Sequence, residues 1–201
     1  MSDTRATRNT AKDKVVIYEE EGGDPSVDLL VVGNTHGRTR VRAVGDPAQA
    51  VELAVRLVAE GVDRIELCGS FGAVWHAGVA RAVDGRAPVG AIYYGFESLT
   101  SIAAYKARFE AGEALSDAFL VVHEGADPVG DRVVHAKPGG GRITLVAVPD
   151  EETAARVAAE LGPALQLIEF YGVGGPDAAE PVIEAVSPAG VPVGVTAFGG
   201  S

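Results

Sequence analysis

Two carboxylates stand where carboxylates are expensive. Glu66 lies inside the apolar run Arg64-Ile65-Glu66-Leu67-Cys68, which ends at Gly69-Ser70-Phe71-Gly72, and Glu169 lies inside Leu167-Ile168-Glu169-Phe170-Tyr171, which ends at Gly172. An ionised carboxylate buried in a strand without a partner loses hydration that nothing replaces. Each must therefore be paired, sit at an interface, or keep its proton with a raised pKa. A carboxyl with a raised pKa can serve as general acid or base near neutral pH. The competing reading is structural: a glutamate held by an arginine or by backbone N–H groups where two units meet. His123 is the third candidate for acid–base work, reaching over from the second half of the chain.

The surrounding residue types fit a small polar ligand. A glycine turn that opens a helix leaves N–H groups converging on one point, where an anionic group can sit. Gly69, Ser70 and Gly72 form such a turn, Gly172 its counterpart, and Asp177 makes the second turn less welcoming to an anion. In parallel sheets ligands gather beyond the carboxyl ends of the strands, which here adds Glu20, Cys68, Tyr94 and Tyr171. Cys68 would be a nucleophile only with a lowered pKa; at a strand end it reads first as a buried, inert thiol. The four histidines, His36, His76, His123 and His135, have no metal-ligand spacing, so no metal is expected. A metal site made from His123 with Glu124 or with a glutamate of the first half is the weaker alternative. No Walker motif, dinucleotide fingerprint or nucleophile elbow is present, so no organic cofactor is indicated.

These residues recur because the chain does. Ile65, Glu66, Gly69 and Gly72 return as Ile168, Glu169, Gly172 and Gly175; Glu21-Gly22-Gly23-Asp24-Pro25 returns as Glu124-Gly125-Ala126-Asp127-Pro128. Pro88-Val89-Gly90 returns as Pro192-Val193-Gly194, and the spacing stays at 103 (Ile65 to Ile168) or 104 (Gly90 to Gly194). Such a period marks an internal duplication. Each unit reads β-β-β-α-β-α-β. In the first, Val15–Tyr18 is a strand, Leu29–Val32 and Thr39–Val44 a hairpin, and Asp46-Pro47-Ala48-Gln49 a capped helix start. The following helix has one narrow polar stripe, Gln49, Glu52, Arg56 and Glu60, and is otherwise Ala, Val and Leu. A second helix from about Ala73 to Val83 and a strand at Pro88–Tyr94 complete the unit.

The expected organisation is a disordered tail over 1–13, a first α/β repeat over 14–97, a linker helix over 98–115 capped by Ser98, and a second repeat over 116–201. Strands alternating with crossover helices predict mainly parallel sheets covered on both faces. The two units are expected to pair as a pseudo-twofold dimer within one chain, with further oligomerisation open.

The pattern I-E-L-C-G-x-F-G, preceded by Glu60-Gly61-Val62-Asp63 and followed by Pro88-Val89-Gly90, resembles a family of small single-unit α/β proteins of unassigned function. The second repeat is similar in A-F-L-V-V-H-E-G-A-D-P from Ala118 and in Pro192-Val193-Gly194, but replaces Leu67-Cys68 by Phe170-Tyr171 and Ser70-Phe71 by Val173-Gly174. The resemblance implies a fold and carries no activity with it.

Composition narrows the function. A net charge of −11 argues against nucleic acid and against an anionic membrane surface as partners. One cysteine and a polar start without an apolar stretch predict a cytoplasmic protein. The expected function is a small-molecule enzyme using acid–base chemistry without an organic cofactor, of isomerase, lyase, cyclase or hydrolase type. The alternative is a binding protein that holds its small polar or anionic ligand unchanged. Either repeat expressed alone is expected to be unstable or to self-dimerise, because a unit this small buries little surface; sedimentation of a stable monomeric repeat would contradict this.

Overall fold

The computed structural model describes residues 12–199. The first repeat comprises β1 (Asp13–Glu19), β2 (Asp28–Asn34), β3 (Gly37–Val44), α1 (Pro47–Ala59), β4 (Arg64–Leu67), α2 (Gly72–Val83) and β5 (Val89–Tyr94). Helix α3 (Leu99–Glu110) follows. The second repeat comprises β6 (Asp117–Val122), β7 (Arg132–Ala136), β8 (Arg142–Val148), α4 (Glu151–Leu161), β9 (Leu167–Tyr171), α5 (Glu180–Val186) and β10 (Val193–Phe198). Both halves have the element order read from the sequence.

Local chemistry accounts for the elements. The Asp46 carboxylate accepts the N–H groups of Ala48 (2.8 Å) and Gln49 (3.2 Å) and so starts α1. The Gln49 side chain reaches back to the Gly45 N–H, one residue short of the cap itself. Ala50, Leu53, Ala54 and Leu57 are the buried face. The expected Ser98 cap is absent: the Ser98 hydroxyl lies 3.4 Å from both the carbonyl and the N–H of Val193, tying the start of α3 to β10. No residue of α3 is fully buried. The expected tail over 1–13 lies outside the described residues except at its end, where Lys12 accepts the Arg38 N–H and Asp13 already belongs to β1.

All ten strands form one sheet in the order β2-β3-β1-β4-β5-β10-β9-β6-β8-β7. The hairpin pairs β2–β3 and β7–β8 are antiparallel, as is the central pair β5–β10; the other six ladders are parallel. The repeats are thus joined edge to edge and run in opposite directions.

The expectation that helices cover both faces needs correction. In the second repeat Ala118, Leu120, Ile168 and Phe170 pack with Ala154, Val157, Val182 and Val186 of α4 and α5. Phe119, Val121, Ile143, Leu145, Ala147 and Tyr171, facing the other way, instead join the core of the first repeat with Val16, Tyr18, Val41 and Ala43. Tyr18 meets Phe119 edge to face at 5.4 Å, and Phe119 meets Tyr171 at 5.2 Å. The sheet doubles back, and each repeat serves as the second layer of the other.

At the seam, space decides the sequence. A Cβ on Gly90 would lie 2.4 Å from Thr196 Cγ2 and 2.8 Å from the Phe198 ring; one on Gly194 would lie 2.4 Å from Ile92 Cγ2 and 2.7 Å from the Tyr94 ring. Each glycine makes room for two side chains of the opposite repeat. Gly90→Val is expected to cost on the order of 3 kcal/mol in urea unfolding, whereas Gly33→Ala, with nothing within 4 Å of the added carbon, should leave the midpoint nearly unchanged.

Candidate functional site

The two glutamates reach across the seam in opposite directions, each to the other repeat. Glu66 accepts the N–H of Gly172, at 3.2 and 3.0 Å to its two oxygens. Glu169 accepts the N–H of Gly69 at 2.9 Å. Each strand-borne carboxylate thus holds the glycine turn of the other repeat. Gly172 has a φ of +79°, and a Cβ there would lie 2.4 Å from the Val122 carbonyl oxygen, so glycine is required.

The remaining partners differ. Glu66, 1% exposed, lies 2.7 Å from Arg64 Nε, although that N–H is not aimed at the oxygen, and accepts the Thr196 hydroxyl at 2.7 Å. Arg64 also donates to the Val173 carbonyl at 2.6 Å and lies 4.3 Å over the Phe198 ring. Glu169, 3% exposed, has no cation in contact among the described residues; the hydroxyls of Tyr94 (2.9 Å) and Tyr171 donate to it. Burial raises the Glu169 pKa, against the pull of the three donated hydrogen bonds.

The other residues expected at the site are distributed as follows. Cys68 is buried, with Sγ 3.0 Å from the Ser70 hydroxyl, and burial pushes its thiol up to about 12. Gly72 opens α2 and is exposed. Glu20 accepts from Tyr18 at 3.2 Å and lies 3.1 Å from His135 Nε2. His123, 2% exposed, has Nδ1 2.8 Å from the Thr39 hydroxyl. The structure therefore gathers Gly69, Tyr94 and Tyr171 around Glu169, and places Glu66, Glu20 and His123 elsewhere.

Because the repeats run oppositely, the carboxyl ends of β4 and β5 share an edge with the amino ends of β9, β10 and β6. That edge holds three residues the sequence reading missed. Asp117 accepts from Tyr105 (3.1 Å) and Lys137 (2.7 Å), its Oδ1 is buried without a partner among the described residues, and burial raises its pKa. Beside Tyr105 a cleft of about 250 Å³ opens between α3 and the segments leading into β9 and β10, lined in part by Ser101, Arg108, Gln166 and Gly190. Strand-end reasoning could not find it, since one of its walls is a linker helix. Arg64 was findable: it stands two residues before Glu66 and so on the same strand face. Among the described residues no group of three or more His, Cys, Asp or Glu is placed to hold a metal, and no helix is long and apolar enough to cross a membrane.

A model of a family of unknown function (DUF6506) matches this chain twice, over residues 12–107 and 115–201. The chain belongs to that family. It carries the DUF6506 unit in tandem, in agreement with the duplication. No curated protein matches it in sequence. Among solved structures, a conserved domain protein from Vibrio cholerae aligns at 12% identity and TM-score 0.30 over 90% of this chain and 73% of its own. A carbohydrate transporter from Acidothermus cellulolyticus in complex with myo-inositol aligns at 16% and 0.29 over 89% and 71%, and a 5-methylthioribose transporter solute binding protein from Thermotoga lettingae at 13% and 0.26 over 94% and 69%. These are α/β neighbours at a distance where likeness carries no functional argument.

The expectation of an acid–base enzyme is overturned. The geometry gives each expected acid–base glutamate protein partners in the seam: Gly172, Thr196 and Arg64 for Glu66, and Gly69, Tyr94 and Tyr171 for Glu169. The structural reading of Glu66, an arginine and a backbone N–H where the units meet, is the one observed.

Different partners predict different responses. Glu66→Gln leaves Arg64 buried without its countercharge and is expected to cost about 3–5 kcal/mol. Glu169→Gln strands no cation and should cost at least 2 kcal/mol less, on the order of a neutral hydrogen bond or two. The folded-state pKa of Glu169 is above its ordinary value of 4.5, so the folded chain binds the proton more tightly and stability from this group is lost as pH rises from 4.5 through the raised value. Glu169→Gln should flatten that part of the melting-temperature profile; an unchanged slope would contradict the assignment.

Proposed function

We propose that this chain is a non-catalytic binding protein for a small polar molecule, taken in the cleft between α3 and the second repeat. The cleft itself is the observation that supports the reading: about 250 Å³, with Arg108, Tyr105, Ser101 and Gln166 among its lining residues. Apolar walls from Leu165, Val191 and Pro192 with a few placed polar groups are the usual make-up of a small-ligand site. The volume suits a ligand of metabolite size. The Tyr105 hydroxyl donates to buried Asp117, which fixes the ring against the sheet and makes that wall rigid before the ligand arrives.

The two repeats act as a pseudo-twofold pair whose seam is structural. Support comes from the reciprocal bonds Glu66 to Gly172 and Glu169 to Gly69, and from the reciprocal crowding over Gly90 and Gly194. The site is used once, because α3 follows the first repeat and no helix among the described residues takes its place beside the other. A net charge of −11 leaves nucleic acid and anionic lipid as poor partners, and one free buried cysteine fits a cytoplasmic setting.

Calorimetric titration of the full chain with a panel of polyols, sugars, amino acids and hydroxy acids is the test. At least one class should bind saturably and be recovered unchanged, with Arg108→Ala and Tyr105→Phe each lowering affinity about tenfold, or about 1.4 kcal/mol. Binding that both variants leave untouched, or chemical conversion of the bound compound, would sink the proposal.

A further inference from the structure

The opposite end of the inner layer holds a second arrangement, independent of the cleft. Thr39 of β3, Lys14 of β1 and Arg64 of β4 are register partners on three adjacent parallel strands and so form a row on one face. Lys14 is 8% exposed, Thr39 1% and Arg64 6%. From the second repeat, Val122 and His123 close over this row: Lys14 Nζ donates to the Val122 carbonyl at 3.0 Å, and His123 Nδ1 meets the Thr39 hydroxyl at 2.8 Å.

The donors there exceed the acceptors. An ammonium has three N–H groups, and that single carbonyl is the only hydrogen-bond acceptor of Lys14 among the described residues, none of which forms an ion pair with it. His123 Nε2 is buried and has no partner among the described residues. Arg64 takes up the nearby carboxylate, Glu66. Burial lowers the Lys14 pKa, with the Glu66 charge opposing. A buried cation without an ion-pair contact and a buried ring nitrogen without a hydrogen-bond partner are each costly and ask for an explanation.

The equivalent row of the second repeat is unlike it. Its members are Ile143, Asp117 and Leu167, again register partners on adjacent strands, and Glu20 stands where His123 does. Positions that the duplication made alike have diverged to basic at one end and acidic at the other, which packing alone does not require.

We infer that Lys14 and His123 form a binding site for a small oxyanion, a carboxylate or phosphate group of a soluble metabolite, with Thr39 setting the histidine tautomer. The Thr39 hydroxyl donates to Nδ1, which leaves hydrogen on Nε2; Nε2–H and the free N–H groups of Lys14 then donate to the anion oxygens. Arg64, held by Glu66, Val173 and Phe198, supplies field rather than contact.

The test uses the full chain at constant ionic strength, with inorganic phosphate, acetate, chloride and glycerol as probes and the His123 ring nitrogens followed by NMR. Phosphate, acetate or both should shift the Nε2 signal saturably and raise the melting temperature, the responding probe naming the group. Lys14→Met should weaken the response tenfold or more. Should that variant fail to fold, His123→Gln and the wild-type titration decide alone: loss of the thermal response in His123→Gln supports the site. An Nε2 signal unmoved by either oxyanion, an equal response to chloride or glycerol, or full affinity in a folded Lys14→Met would overturn it.

Discussion

A carboxylate buried in a strand must find donors, and in this chain neither glutamate is satisfied by its own repeat alone. Glu66 bonds the glycine turn of the other repeat rather than its own, and Glu169 does the reverse. Much follows from that exchange. The turns must come close enough to be grasped, so the P-V-G strands must lie edge to edge with nothing larger than glycine at Gly90 and Gly194. Once β5 and β10 are paired, the faces of the two half-sheets away from the helices have no cover except each other. The Tyr18–Phe119–Tyr171 contact is the apolar counterpart of the polar exchange.

The two glutamates show how one position can carry two electrostatic solutions. Glu66 keeps its charge company with Arg64, an arrangement that is expensive to break from either side. In the second repeat Leu167 stands where Arg64 does, and the cation is replaced by two phenols. Hydroxyls can donate to a carboxylate or accept from a carboxyl, so the Glu169 site tolerates both protonation states where the Glu66 site is built for one.

Much of the fold was legible in the sequence. The constant spacing of the repeats, the Asp46 cap and the strand periodicity led to the right element order. The layer arrangement was not legible, because a strand covered by helices on both faces and one covered by a helix on one side and another sheet on the other are equally apolar. Phe119 and Tyr171 read as core in either case. The Ser98 cap misled because a serine before a helix also serves as a tether, here to Val193. Of the candidate site, Glu66, Glu169, Gly69 and Gly172 were visible as anomalies. Lys14 and Tyr105 were not: a lysine near a chain start and a tyrosine on a linker helix are ordinary until the second repeat is brought against them.

The opposed direction of the repeats has a consequence for what this protein could become. In a dimer of identical subunits related by the same rotation, every residue at one mouth of the shared interior would recur at the other, and a lysine gained at one end would be gained at both. Fusing the subunits into one chain removes that bond between the ends. Lys14 and Asp117 occupy matching places, as do His123 and Glu20. The two ends of the interior therefore carry different titratable residues, Lys14 and His123 at one and Asp117 and Glu20 at the other, an inequality that no symmetric assembly of single units could hold.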